Sequence, residues 1–261
     1  MNQPHRTGVD GPVLFARYAY PPNALGLCGP GDPEGLRQSM AEGTDPDHLA
    51  HLATQFDGAW PYLELIAGAN GIDDPLDRRV VRAYWLGNDL LGRVPMGALA
   101  TSLEDRFARR AGRGFESVVA AALSGAVAQH SFHVFAVYPW LGLLRAGVQG
   151  PPLQVLDQCR IRWGRVEALD DGVALVTSSP LEFVGSRLTL ATERLEKVHY
   201  QADAAGFARA LRPGDVVSMH WDWICERLSC EELASVRACT RRNLAAVNDL
   251  ARPGPAMLLH S

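Results

Sequence analysis

Residues 211–243, LRPGDVVSMHWDWICERLSCEELASVRACTRRN, carry the reading that decides the fold. Pro213-Gly214 is a turn signal, and the short apolar run behind it reads as a β-strand. That strand ends at His220, followed at once by Trp221 and then by Trp223. Ser229-x-x-Glu232 is a capping box, and Leu233, Val236, Leu244 and Val247 recur at helical spacing after it. The stretch therefore predicts a turn, a strand with a histidine at its end, and a closing helix.

Upstream, CRIRWGRVEA (159–168) alternates and is rich in strand formers, and DDGVALVTSS (170–179) reads as a turn and a strand. LEFVGSRLTLATERLEKVHY (181–200) reads as one or two more strands. Short strands joined by tight turns predict a small β-barrel. Before RAGVQGPPLQVL (145–156) the pattern is helical instead. Thr44-Asp45-Pro46 and Asp73-Asp74-Pro75 each place a capping residue before a proline, and Thr101 with Glu104 forms a candidate capping box. In DPLDRRVVRAYWLGNDLL (74–91), Leu76, Val80, Tyr84 and Leu91 fall on roughly one face. Residues 115–145 are apolar and rich in small side chains, which predicts a buried helix broken near Pro139. The expected fold class is α+β: an α-helical domain over 12–148, then a small OB-like β-barrel with a C-terminal helix over 153–250.

Bulk composition narrows the function classes. The chain has 261 residues, 47% apolar and 21% charged, which supports a buried core. A net charge of −4 lacks the basic stripe that nucleic-acid binding requires. No apolar run approaches the roughly 18 residues of a membrane span, and MNQPHRTGVDGP carries no apolar leader segment. The five cysteines are odd in number and include no CxxC pair, so neither a disulfide framework nor a thiolate zinc site is expected. A cytoplasmic protein with reduced thiols follows from this.

Three groups of residues are candidates for chemistry. RYAYPPNALGLCGPGDPEGL (17–36) is too dense in Pro and Gly for a helix and predicts a shaped loop bearing Tyr18, Tyr20, Asn23 and Cys28. Its glycines do not match a phosphate-binding spacing. His130 and His133 lie three apart on the most apolar segment, a spacing that ligates metals and equally fits two core histidines with buried partners. Cys159 precedes the first strand and His220 ends a late one, so both can meet at one rim of a barrel. A thiolate and an imidazole there make a soft pair for a transition metal, or a nucleophile dyad. Cys225, Cys230 and Cys239 fit no ligand pattern.

Taken in order, QCRIRWGRV, ALDDGVALVTS and LRPGDVVSMHWDWICERLSCEEL make residues 158–248 resemble the HypC family of nickel–iron hydrogenase maturation chaperones. The resemblance implies that Cys159 holds the iron fragment Fe(CN)2CO transiently during cofactor assembly and that His220 supports it. It implies that Trp221 and Trp223 dock a hydrogenase large subunit or a maturation protein. Residues 191–210 read as an insertion relative to that family. RYAYPPNALGLCGP (17–30) is similar to an uncharacterised bacterial family, which implies no chemistry. The expected function is thus an accessory scaffold rather than an enzyme. The alternative is a metal- or cofactor-dependent enzyme whose site, in the helical segment, uses His130, His133, Tyr138, Asn23 and Cys28. A rigid loop over 20–33 that closes on the barrel rim would bring Cys28 toward Cys159.

Overall fold

A computed structural model describes residues 10–38, 46–111, 115–200 and 211–250. The first helix, α1 (Gly11–Ala24), has Pro12 in its first turn, where the missing N–H is no loss. It runs on through Pro21 and Pro22. The expected loop over 17–36 is therefore corrected: the chain stays helical to Ala24. Prolines in a final turn remove donors without having to turn the helix further, and the true loop starts at Leu25.

Short helices follow: α2 (Pro33–Gln38), α3 (Pro46–Thr54), α4 (Trp60–Ala69) and α5 (Arg78–Trp85). Thr44 and Asp45, the expected cap of α3, lie outside the described residues. Asp77 caps α5 by accepting from the Arg79 N–H at 2.8 Å, which moves that start three residues beyond the expected Asp74-Pro75. Thr101 and Glu104 lie inside α6 (Met96–Ala111), where the Thr101 hydroxyl bonds the Gly97 carbonyl, so no capping box forms there. The apolar segment expected as one helix is divided early, at Ser124–Gln129, into α7 (Phe115–Leu123) and α8 (His130–Phe132). A π-helical turn over His133–Val137 leads to Pro139 and α9 (Trp140–Arg145). Gly125, at φ 87°, supplies the left-handed residue that ends α7.

After α10 (Pro151–Cys159) the chain becomes β: β1 (Arg162–Asp170), β2 (Val173–Ser178), β3 (Leu181–Val184), β4 (Arg187–Leu190), β5 (Arg194–His199), β6 (Val216–His220) and β7 (Trp223–Arg227). β3 and β4 form a separate hairpin. The other five strands form one sheet whose order β1-β2-β5-β7-β6 returns from β6 to β1. Two readings are corrected here. Residues 181–200 hold three strands, and β5, which falls in the stretch 191–210, pairs with β2 in the sheet; 201–210 lie outside the described residues. The run after Pro213-Gly214 is two strands, turned by Trp221-Asp222 with Trp221 at φ 56°.

Val166, Ala174, Val176, Val198, Val217, Met219 and Ile224 fill the inside of the sheet. α1 packs on β6 and β7, so Val217, Ser218, Met219 and His220 are all buried and β6 shows no polar outer face. The last helix, α11 (Cys230–Asp249), carries the expected capping box of Ser229 and Glu232. It packs on α7, α8 and β4, and one apolar cluster runs from Leu14 through Leu188 to Val247. The helical and β segments thus share a core. Among the described residues, no helix is long and apolar enough to cross a membrane.

Candidate metal centre

Two backbone accidents bring a cysteine and a histidine together. α10 ends at Cys159, and the Trp221 N–H donates to the Gln158 carbonyl at 2.8 Å. The residues beside that bond are Cys159 and His220. The Trp221 carbonyl is in turn bonded by the Arg162 guanidinium, which pairs with Glu196 at 2.5 Å. The turn is therefore pinned to the end of α10 on its donor side and to the first residue of β1 on its acceptor side.

A third residue arrives from the helical segment. His130 opens α8, and Gln129 caps that helix: its Oε1 accepts from the Ser131 N–H at 2.9 Å while its Nε2 donates to the Trp85 carbonyl at 2.7 Å. Asn243 on α11 completes the clamp, accepting from the Val127 N–H at 2.8 Å and donating to the Ser131 hydroxyl at 2.9 Å. His130, Cys159 and His220 then lie with their ligand atoms all within 4.8 Å of one another. They are 6%, 8% and 1% exposed.

Hydrogen bonding sets which nitrogens are available. His220 Nδ1 faces the Tyr18 carbonyl at 2.6 Å, and a carbonyl only accepts, so Nδ1 carries the hydrogen. Nε2 then bears a lone pair. It is buried and receives no hydrogen bond; the Cys159 backbone beside it offers a carbonyl, which only accepts. The Tyr18 carbonyl is available because its intrahelical donor would be residue 22, a proline. His130 Nε2 donates to the Cys159 carbonyl at 2.8 Å, and its Nδ1 meets the Tyr84 hydroxyl at 3.0 Å. That hydroxyl also reaches the Gly58 carbonyl at 3.3 Å, so it has a second partner when Nδ1 takes another role. A histidine whose far N–H is held by a carbonyl is the arrangement that orients metal ligands.

Burial keeps these groups neutral. Desolvation holds His220 down at about 4 and pushes His130 well below the usual histidine value. His133 is also held at about 4 by burial. The Cys159 thiol is pushed up by burial, and Cys28 is raised the same way to about 12. No carboxylate lines the site to favour a proton on either imidazole. A metal ion would reverse the balance at sulfur, since it displaces the thiol proton.

The three residues form one wall of a cavity of about 30 Å³, room for about two water-sized groups. His133, Tyr138 and Cys28 line it too. The two sites that the sequence keeps apart, Cys159 with His220 and His130 with His133 and Cys28, are thus sides of a single cavity. His133 fits because residue 58 is glycine: a Cβ there would stand 3.0 Å from Nε2. Tyr138 packs edge-on to the His133 ring, and Tyr62 bonds its Nδ1 at 3.3 Å. Asn23 lies behind the wall, holding the 25–30 loop by bonds to the Cys28 and Pro30 carbonyls. Trp221 and Trp223 are both half-buried, and Trp223 sits edge-on to Tyr20 at 5.8 Å.

Tyr84, Trp85 and the Tyr18 carbonyl belong to the site; of these the sequence singled out only Tyr18, as a loop side chain rather than a helical carbonyl. Tyr84 and Trp85 read as core positions of an amphipathic helix. The one usable signal was Pro22, which frees the carbonyl of the residue four before it.

The fold and site define a mixed α+β protein with a buried cluster of soft ligands. The family profile described as "Family of unknown function (DUF6390)" matches residues 7–253, and the chain belongs to that family. No curated protein matches the chain. No solved structure matches it either.

Proposed function

We propose that this protein holds a soft transition-metal fragment between His130, Cys159 and His220 as an accessory scaffold in nickel–iron hydrogenase maturation. The carrying observation is His220 Nε2, a lone-pair nitrogen on a side chain 1% exposed, without a hydrogen-bond partner and beside a thiol and a second imidazole. Leaving such a nitrogen unpaired costs about 1–3 kcal/mol, which a metal bond would recover. One sulfur and two neutral nitrogens suit iron, copper or zinc over magnesium or calcium.

The hydrogenase part of the reading rests on the order of motifs over 158–248, in which Cys159 and His220 take the places of the family's cysteine and strand-end histidine. The hydrogenase large subunit or another maturation protein is the proposed partner, with the exposed part of Trp223 at the contact.

The test is purification from a hydrogenase-expressing host, followed by infrared spectroscopy and identification of bound proteins. The expected result is bands of metal-bound CO and cyanide that vanish in Cys159→Ala. Absence of those bands together with no co-purifying maturation partner would overturn the reading.

A catalytic metal centre in the same cavity is the second reading, favoured by His133 and Tyr138 beside the three ligands. It expects His133→Ala to change the spectrum of the bound metal.

A further inference from the structure

The three ligands are each more than nine-tenths buried, so an ion has to lose its water before it reaches them. Stripping an ion in apolar surroundings is slow and costly unless another ligand replaces each water as it leaves. One further sulfur lines the same cavity. Cys28 is half-buried, on a loop whose neighbouring Leu25 and Leu27 side chains are 54% and 53% exposed. It is not among the residues whose ligand atoms converge within 4.8 Å.

Its position is built. Asn23, 1% exposed, donates one amide hydrogen to the Cys28 carbonyl at 2.8 Å and the other to the Pro30 carbonyl at 2.7 Å. Gly29, at φ 83°, lies so close to Phe56 that a Cβ would stand 2.3 Å from the ring. The loop is thus held against the cavity with a thiol on its inner side. His220, whose Nε2 receives no hydrogen bond, lines the same cavity.

We propose that Cys28 is a transfer ligand, which takes a thiophilic metal ion at the mouth of the cavity and passes it to Cys159, His220 and His130. This rests on the reading of those three residues as a metal centre. The step is ligand exchange without redox change. Cys28 gives its thiol proton to solvent as its sulfur–metal bond forms. When the ion moves inward a bond to Cys159 forms, the bond to Cys28 breaks, and the Cys159 proton passes to the Cys28 sulfur.

The experiment uses the full chain, reduced and metal-free, with zinc ion as the probe and a colorimetric chelator as the competitor. Cys28→Ser is expected to load, and to be stripped by chelator, at least about tenfold more slowly than the wild type, while still filling in the end. Cys28→Ala, which removes the ligand atom without adding a hydroxyl, is expected to load as slowly. Loading at the wild-type rate by both would overturn the transfer role and leave the metal centre standing. Failure of the wild type to take up zinc, iron or copper at all would overturn the metal centre itself.

Discussion

His220 Nδ1 donates to the Tyr18 carbonyl across 2.6 Å, and the helical donor that would otherwise claim that carbonyl is missing because residue 22 is proline. A helix-breaking residue in the α1 sequence thereby fixes the tautomer of a side chain two hundred positions away. The consequence is a lone pair on Nε2 of a residue whose ligand atom lies within 4.8 Å of those of Cys159 and His130. Fixing a ligand before the ion arrives raises affinity without adding a bond to the metal.

Pro22→Ala restores an N–H that competes for the Tyr18 carbonyl. The expected outcome is a zinc affinity about 10- to 100-fold weaker with the overall fold retained. A chelator-competition titration measures it, and an unchanged affinity would show that the carbonyl does not govern the ligand.

Acid should destabilise the metal-free protein. Burial keeps His130, His133 and His220 neutral in the folded state, the latter two down to about 4. In the unfolded chain they take up protons near the ordinary value of about 6.5. Between those values the unfolded state binds more protons, so stability is fully present above about 6.5, falls as pH drops, and levels off below about 4. Each histidine contributes a slope of about 1.4 kcal/mol per pH unit inside that window. Urea midpoints at pH 7.5 and 5.0 report it, and His133→Phe should flatten the dependence. An equal pH dependence in both proteins would mean that His133 is not held neutral.

Asn243→Ala strips the clamp behind His130, leaving the Val127 N–H without its side-chain acceptor. The expected cost is about 1–3 kcal/mol of stability, with zinc affinity about tenfold weaker because α8 loosens. Differential scanning calorimetry and the same competition titration check both halves. A loss of stability with unchanged affinity would confine Asn243 to packing.

Ser229→Ala serves as the contrast. It removes the cap of α11, a helix that contributes none of the residues lining the cavity, and it should cost about 1 kcal/mol while leaving zinc affinity as it was. If affinity fell in parallel with stability here too, the effect of Asn243 would carry no information about the site.

The legible part of this site was the part carried by chain order. Cys159 before the first strand and His220 at a strand end were readable as neighbours because short antiparallel strands return to one rim. The helical contribution was readable only as a separate pair, since nothing local in HSFH says that α8 faces the end of α10. That packing is decided by Gln129 and Asn243, polar residues whose partners lie 44 and 116 positions away. The three strands over 181–200 were read as one or two because RLEKVH alternates weakly and leaves Leu195 exposed, so β5 lacks the apolar signature that would separate it. Pro21 and Pro22 misled in the other direction. Proline marks a place where a helix loses donors, and at the end of α1 that loss was compatible with one more helical turn.

The most direct measurement is X-ray absorption of the zinc-loaded protein and of its Cys159→Ser form. One sulfur near about 2.3 Å and two imidazole nitrogens near about 2.0–2.1 Å are expected, with the sulfur lost in the variant. A shell without sulfur, or one that Cys159→Ser leaves unchanged, would contradict a centre built from His130, Cys159 and His220.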